Sequence, residues 1–199
     1  RYARTLVNRA EGRGILQQRM SWWAALALLR CISSSPAAAS IALRTRLKAI
    51  SDRSEREQLE ELDEVAASRV LDSAGEDLLS LDETVPAGTV EDVEDVTALQ
   101  SLIKRAERLR GPDNDPKLRL LIDQVRTLIS DGYRPVIFCR YIATAHYVAD
   151  YLRQALPGDE CHVEAVTGEL TSDQREERVN ALAELEEDVI PVLVATDCL

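Results

Sequence analysis

The amino-acid sequence predicts an α/β fold: a partial parallel sheet with helices on both faces, preceded by a helical arm and an acidic linker. Two observations predict it. From Lys117 to Asp197 helix-period segments alternate with short apolar strands in the order helix, strand, helix, strand, helix, strand, the pattern of a sheet built by crossover connections. Upstream of that alternation the charge is sharply segregated: residues 1–50 carry nine Arg or Lys against one Glu, and residues 51–96 carry three against sixteen acids. The chain divides on this basis into a basic helical arm (1–50), an acidic insertion (51–112) and the α/β region (113–199).

In the arm, Ile15, Leu16, Met20, Trp23, Leu26, Ala27 and Leu29 recur at helical spacing until Ser33-Ser34-Ser35-Pro36 breaks the pattern, and a second helix follows from Ala37 to about Ile50. The insertion begins as charged helix and decays into acid-rich sequence with Gly75, Pro86 and Gly88, a solvated spacer by composition. Ala98 to Leu109 forms a short amphipathic helix stopped by "GPDNDP". In "PKLRLLIDQVRTLISDG", Leu118, Leu121, Ile122, Val125, Leu128 and Ile129 give one apolar face and Gly132 a stop.

Val136 to Cys139 is a continuous apolar run, too short for a helix, and reads as a strand covered on both faces. Ile142, Ala145, Val148, Ala149, Leu152 and Leu156 mark the next helix. "CHVEAVTG" alternates as a strand, "LTSDQREERVNALAEL" returns to helix, and "VIPVLVATD" is strand again. A parallel sheet meets its ligands at the carboxyl ends of its strands. Three polar segments therefore point at one edge: "CRY", "TGELTS" and "ATDCL".

Several function classes recede. The net charge of −11 argues against phosphate binding by the chain as a whole, although its segregation leaves the basic arm as either a phosphate-contacting or a simply solvated face. Cys31, Cys139, Cys161 and Cys198 form no C-x-x-C, and with His146 and His162 they give no metal-site spacing, so no metal is expected and reduced thiols in a cytoplasmic protein are the default. The apolar run from Trp22 to Leu29 is too short for a membrane span and is closed by Arg30; it reads as a packed helix rather than a leader. There is no G-x-x-x-x-G-K-[ST] loop, hence no complete ATP site. Arg1 in place of an initiator methionine, and an ending on "PVLVATDCL", make a piece of a longer polypeptide the expectation.

Within "TGELTSDQRE", Thr171 and Gln174 form a capping-box pattern, Gly168 permits a tight turn, and the helix start offers amides and a dipole that can hold a phosphate; an ordinary capped helix explains the same residues. "VATD" presents Thr196 and Asp197 after a buried strand.

Order and spacing of these segments resemble the second RecA-like domain of superfamily-two helicases. "VIFCRY" stands in the place of the fourth motif, "VTGELTSDQREERVNAL" is similar to the Gly-to-Arg segment through Gly168 and Arg175, and "VLVATD" looks like the start of the fifth. Upstream, "ALLRCISSSPAAA" resembles the Leu-Arg-then-Pro segment of Swi/Snf-type ATPases, particularly bacterial members akin to the RNA-polymerase-associated one. The resemblance implies a DNA-dependent ATPase, with ATP and Mg2+ bound mainly by a first RecA-like domain not contained in these residues. It implies that Cys139, Arg140, Tyr141, Thr167, Gly168, Glu169 and Thr196 face the nucleic-acid backbone, that Asp197 couples this contact to the nucleotide cleft, and that Arg175 and Thr171 are structural. No residue here is implied as catalytic. The implied partners are double-stranded DNA and RNA polymerase or another DNA-bound protein, in the cytoplasm and away from membranes. A non-enzymatic RecA-like docking module is the alternative.

Overall fold

The computed structural model describes residues 15–51 and 93–196, with Arg4 and Asn8. The acidic insertion from 52 to 92 and Asp197 lie outside the described residues. The chain splits into two compact units, Arg1–Glu107 and Arg108–Leu199.

The first unit holds α1 (Ile15–Ser34), α2 (Pro36–Ser51) and nearly all of α3 (Val93–Arg108). The three serines and the proline that end α1 also start α2. Ser33 Oγ donates back to the Leu29 carbonyl at 2.6 Å, and Ser35 Oγ accepts the Ala38 N–H at 3.1 Å as an N-cap with Pro36 in the first helical position. Among the side chains described, which leave out Ile15, Leu16 and Met20, the buried face of α1 differs from the stripe read in the sequence. It is Ser21, Ala24, Ala25, Leu28 and Cys31, while Trp22, Leu29 and Ile32 are exposed. Alanines at 37, 38, 39 and 42 line the buried side of α2 as well. Small side chains let two helix backbones approach closely, and the packing gained there outweighs burying the larger residues.

The second unit is the predicted alternation: α4 (Pro116–Ser130), β1 (Val136–Phe138), α5 (Ile142–Ala155), β2 (Cys161–Val166), α6 (Ser172–Ala183) and β3 (Ile190–Ala195). The strands form a parallel sheet in the order β1-β3-β2. Passing from β1 to β2 steps over β3, and β2 to β3 steps back. Right-handed crossovers therefore place α5 and α6 on opposite faces. This is a partial RecA-like arrangement, a small parallel sheet flanked by helices.

Local signals fix α4. Asp115 Oδ1 accepts the N–H groups of Lys117 and Leu118 at 3.1 and 3.2 Å, and Pro116 occupies the first turn. At the other end Gly132 has φ +85°, and Tyr133 N–H donates to the Leu128 carbonyl while Gly132 N–H donates to that of Ile129. This is a Schellman stop, whose left-handed position favours glycine.

The expectation that β1 is covered on both faces is corrected. Val136 is 51% and Phe138 66% exposed. The register sets Val136 beside Leu193, itself paired with Glu164, so both exposed side chains lie on the face that α6 covers. That helix packs on β2, at the far edge of the sheet, and leaves this face of β1 open. On the opposite face Val163, Ala165, Val192 and Val194 are buried beneath α5.

Candidate nucleic-acid interface

Phe138 and Val166 both pair with Ala195. The residues that follow, Cys139, Thr167 and Thr196, therefore emerge side by side at the carboxyl edge, with neighbouring strands about 5 Å apart. The fold thus brings Cys139, Thr167 and Thr196, one residue from each of the three polar segments, to one edge.

Main-chain and hydroxyl bonds tie the edge together. Gly168 N–H donates to Thr196 Oγ1 at 3.1 Å, Thr196 N–H to the Val166 carbonyl at 3.2 Å, and Cys139 N–H to the Ala195 carbonyl at 2.7 Å. Thr167 and Thr196 are themselves buried. Gly168 has no positive φ, and a Cβ built on it meets nothing within 4 Å. The turn does not call on glycine's conformational freedom, contrary to the reading from sequence. A bare backbone at that point leaves room for something from outside the chain.

Among the candidates from the fourth-motif segment, Arg140 is exposed and stands with its guanidinium 6.0 Å from the centre of the Tyr141 ring, within cation–π range. Tyr141 is the N-cap of α5 and makes no side-chain cap bond. The positive end of that helix dipole lies at the same edge. Cys139 is buried, so its side chain stands behind this surface rather than on it.

Burial and charge settle the thiol chemistry. The Cys139 thiol is pushed up to about 11, chiefly by burial, with Lys117 pulling the other way. Cys161 is raised as well, by burial first and then by Glu160 and Asp159. Tyr147 is raised by burial above all, the Gly111 N–H opposing and the charge of Asp115 adding to the rise. Each group keeps its proton more tightly folded than unfolded. For Cys139 the stabilisation is whole below the ordinary thiol value of 9.0 and is lost as pH rises through about 11. Melting followed by circular dichroism should show a falling transition temperature over this window, and Cys139→Ala should flatten the fall.

Thr171 and Gln174 form the capping box read from the sequence: Gln174 N–H donates to Thr171 Oγ1 at 3.3 Å and Thr171 N–H to Gln174 Oε1 at 3.0 Å. With Asp173 in the first turn, α6 starts as an ordinary capped helix rather than a phosphate cradle, since an acidic side chain already answers its dipole. Arg175 is half-buried on α6. One turn further on, Arg178 visibly braces α6 to the sheet. Its Nη1 donates to Glu164 Oε1 at 2.7 Å and to the Ala165 carbonyl at 3.1 Å. Sequence reading missed this residue, although a glutamate inside a half-buried strand needs a cation near it.

Also missed was His146, whose Nε2 lies 2.7 Å from Glu169 Oε2. In the basic arm Arg46 is fully buried and Arg44 bonds Glu107, while Arg4, Arg19 and Lys48 are exposed. No group of His, Cys, Asp and Glu able to hold a metal occurs among the described residues, and none of the described helices is long and apolar enough to cross a membrane.

Residues 116–199 match the helicase conserved C-terminal domain. The match begins at the first residue of α4 and takes in all three edge segments. Over these residues the chain is similar to helicases. No curated protein and no solved structure matches the chain. The carboxyl edge of β1, β2 and β3, which lies within the matched residues, is thus the candidate interface.

Proposed function

We propose that this chain is part of an ATP-dependent DNA translocase or remodeller of the Swi/Snf type, in which the helicase C-terminal domain contacts the nucleic-acid backbone and forms one wall of an interdomain cleft. The observation that supports it best is the gathering of Cys139–Tyr141, Thr167–Glu169 and Thr196 at one edge of a parallel sheet. The "ALLRCISSSPAAA" segment at the junction of α1 and α2 favours the Swi/Snf branch, and bacterial members associated with RNA polymerase in particular.

In this reading Arg140 supplies the charge that meets a phosphate. Tyr141 lies against the guanidinium and stiffens it. The bare backbone at Gly168 allows close approach, and Thr196 holds the Gly168 amide in place. Asp197 links this edge to the cleft. ATP and Mg2+ sit mainly on a first RecA-like domain and supply the energy of the stroke. Duplex DNA is the substrate track, RNA polymerase or another DNA-bound protein the cargo, and the cytoplasm the setting.

The test is hydrolysis by the polypeptide that carries both RecA-like domains, assayed with and without duplex DNA. Hydrolysis that rises with DNA, together with none from residues 1–199 alone, is the expected result. No hydrolysis in either condition overturns the reading in favour of a non-enzymatic docking module, and hydrolysis indifferent to DNA overturns the DNA-translocase assignment. A finer prediction concerns Arg140→Ala. Affinity for duplex DNA should fall uniformly across sequences, and the slope of log affinity against log salt should become shallower by about one.

A further inference from the structure

His146 and Glu169 are 23 residues apart in sequence, yet their side chains meet at the nucleic-acid edge. His146 lies in the second turn of α5, and Glu169 in the loop between β2 and α6. An ionised carboxylate only accepts, so the Nε2 at 2.7 Å donates to it. Thr167 Oγ1 donates to the same oxygen at 3.4 Å. Two donors thus converge on Glu169 Oε2, while Gly168 next to it is held by Thr196.

Both partners of this hydrogen-bonded pair are about half exposed, 48% and 54%. Pairs in such a setting add little to stability, so folding alone gives the contact little to do. The location gives it more. A carboxylate at a surface meant for phosphate repels its ligand the more closely it approaches, so a donor that holds it aside matters there.

We propose that His146 is a positioning residue of the nucleic-acid edge: it holds the Glu169 carboxylate against α5, which fixes the Thr167–Gly168–Glu169 loop and keeps a negative charge from swinging toward the DNA backbone. This rests on the backbone-contact reading above. His146 acts through Glu169 and needs no contact of its own with the nucleic acid.

The experiment measures binding of a short fluorescein-labelled duplex by the complete chain, for wild type, His146→Ala, Glu169→Gln and the double variant, with melting temperatures taken alongside. His146→Ala should bind about fivefold more weakly, the effect of one carboxylate freed to approach a screened phosphate surface. Glu169→Gln should bind at least as well as wild type, and the double variant should match Glu169→Gln rather than His146→Ala. His146→Gln, which keeps a donor, should recover most of the loss. All variants should melt with wild type. Three results would overturn the proposal while leaving the backbone-contact reading standing: undiminished binding by His146→Ala, a double variant as weak as His146→Ala, or a drop in melting temperature that accounts for the loss. A wild-type chain with no salt-sensitive binding overturns the reading, and this inference with it.

Discussion

Replacing Asp115 by alanine is expected to destabilise the second unit by about 3 kcal/mol, the sum of a lost helix cap and an orphaned buried hydroxyl. Asp115 is 9% exposed and uses both carboxylate oxygens. Oδ1 caps α4 through the amides of Lys117 and Leu118, and Oδ2 accepts the Tyr147 phenol at 3.0 Å. That phenol in turn accepts the Gly111 N–H at 3.0 Å. The ring is pinned edge-on to Tyr151, with Arg110 5.6 Å above it. One carboxylate thus joins the "GPDNDP" loop, the start of α4 and the middle of α5.

Tyr147→Phe should cost somewhat less, about 2 kcal/mol, because the cap survives while Gly111 N–H and Asp115 Oδ2 lose their partner. The two changes should couple in the double variant, since they break one shared bond. Asp115→Asn, which preserves a cap acceptor, should recover much of the loss. Urea unfolding reads all of this directly. Equal stability of Asp115→Ala and wild type would mean that the loop is anchored elsewhere. Gly111 is a poor site for rescue: at φ +93°, an added Cβ would also lie 3.3 Å from the Tyr151 hydroxyl.

What could be read from the sequence was local. The glycine that stops α4 and the capping box of α6 are short-range chemistry, and both appear as expected. The order of helices and strands followed from changes of period, and with it the parallel sheet. What could not be read was which surface each element spends. The run from Val136 to Cys139 looks the same whether a helix covers one face or two, because its composition does not reveal the neighbour. In α1 the large residues suggested the buried stripe, yet alanine, serine and cysteine occupy most of it beside Leu28; small side chains carry weak hydropathy and act by allowing close approach. His146 meets Glu169, and Arg178 meets Glu164, through tertiary folding alone. Arg175 drew notice because a resemblance singled it out, whereas only the packed helix shows that Arg178 makes the brace.

The chain is expected to self-associate through β1, and Phe138→Lys should reduce this sharply. The two outer strands of the sheet are treated differently. Along β2 the carbonyls of Val163 and Ala165 accept from Arg153 Nε at 3.0 Å and from Arg178 Nη1 at 3.1 Å. Arginines from the helices on the two faces thus occupy the outer edge of β2. Along β1, Pro135 and Cys139 bond to β3, so by strand alternation the backbone groups of Val136 and Phe138 turn to the outer side. No strand pairs there among the described residues. The same two residues expose their apolar side chains. An open edge with apolar flanks is a template for another strand, and lysine is a common blocker of such edges. Phe138 is 66% exposed, so replacing it removes little core and should leave the melting temperature nearly unchanged. Sedimentation should show association that grows with concentration in the wild type and is largely gone in Phe138→Lys, whereas Arg178→Ala should worsen it by uncovering the β2 edge. A wild type that sediments as one monomer at every concentration would show that the β1 edge is protected by other means.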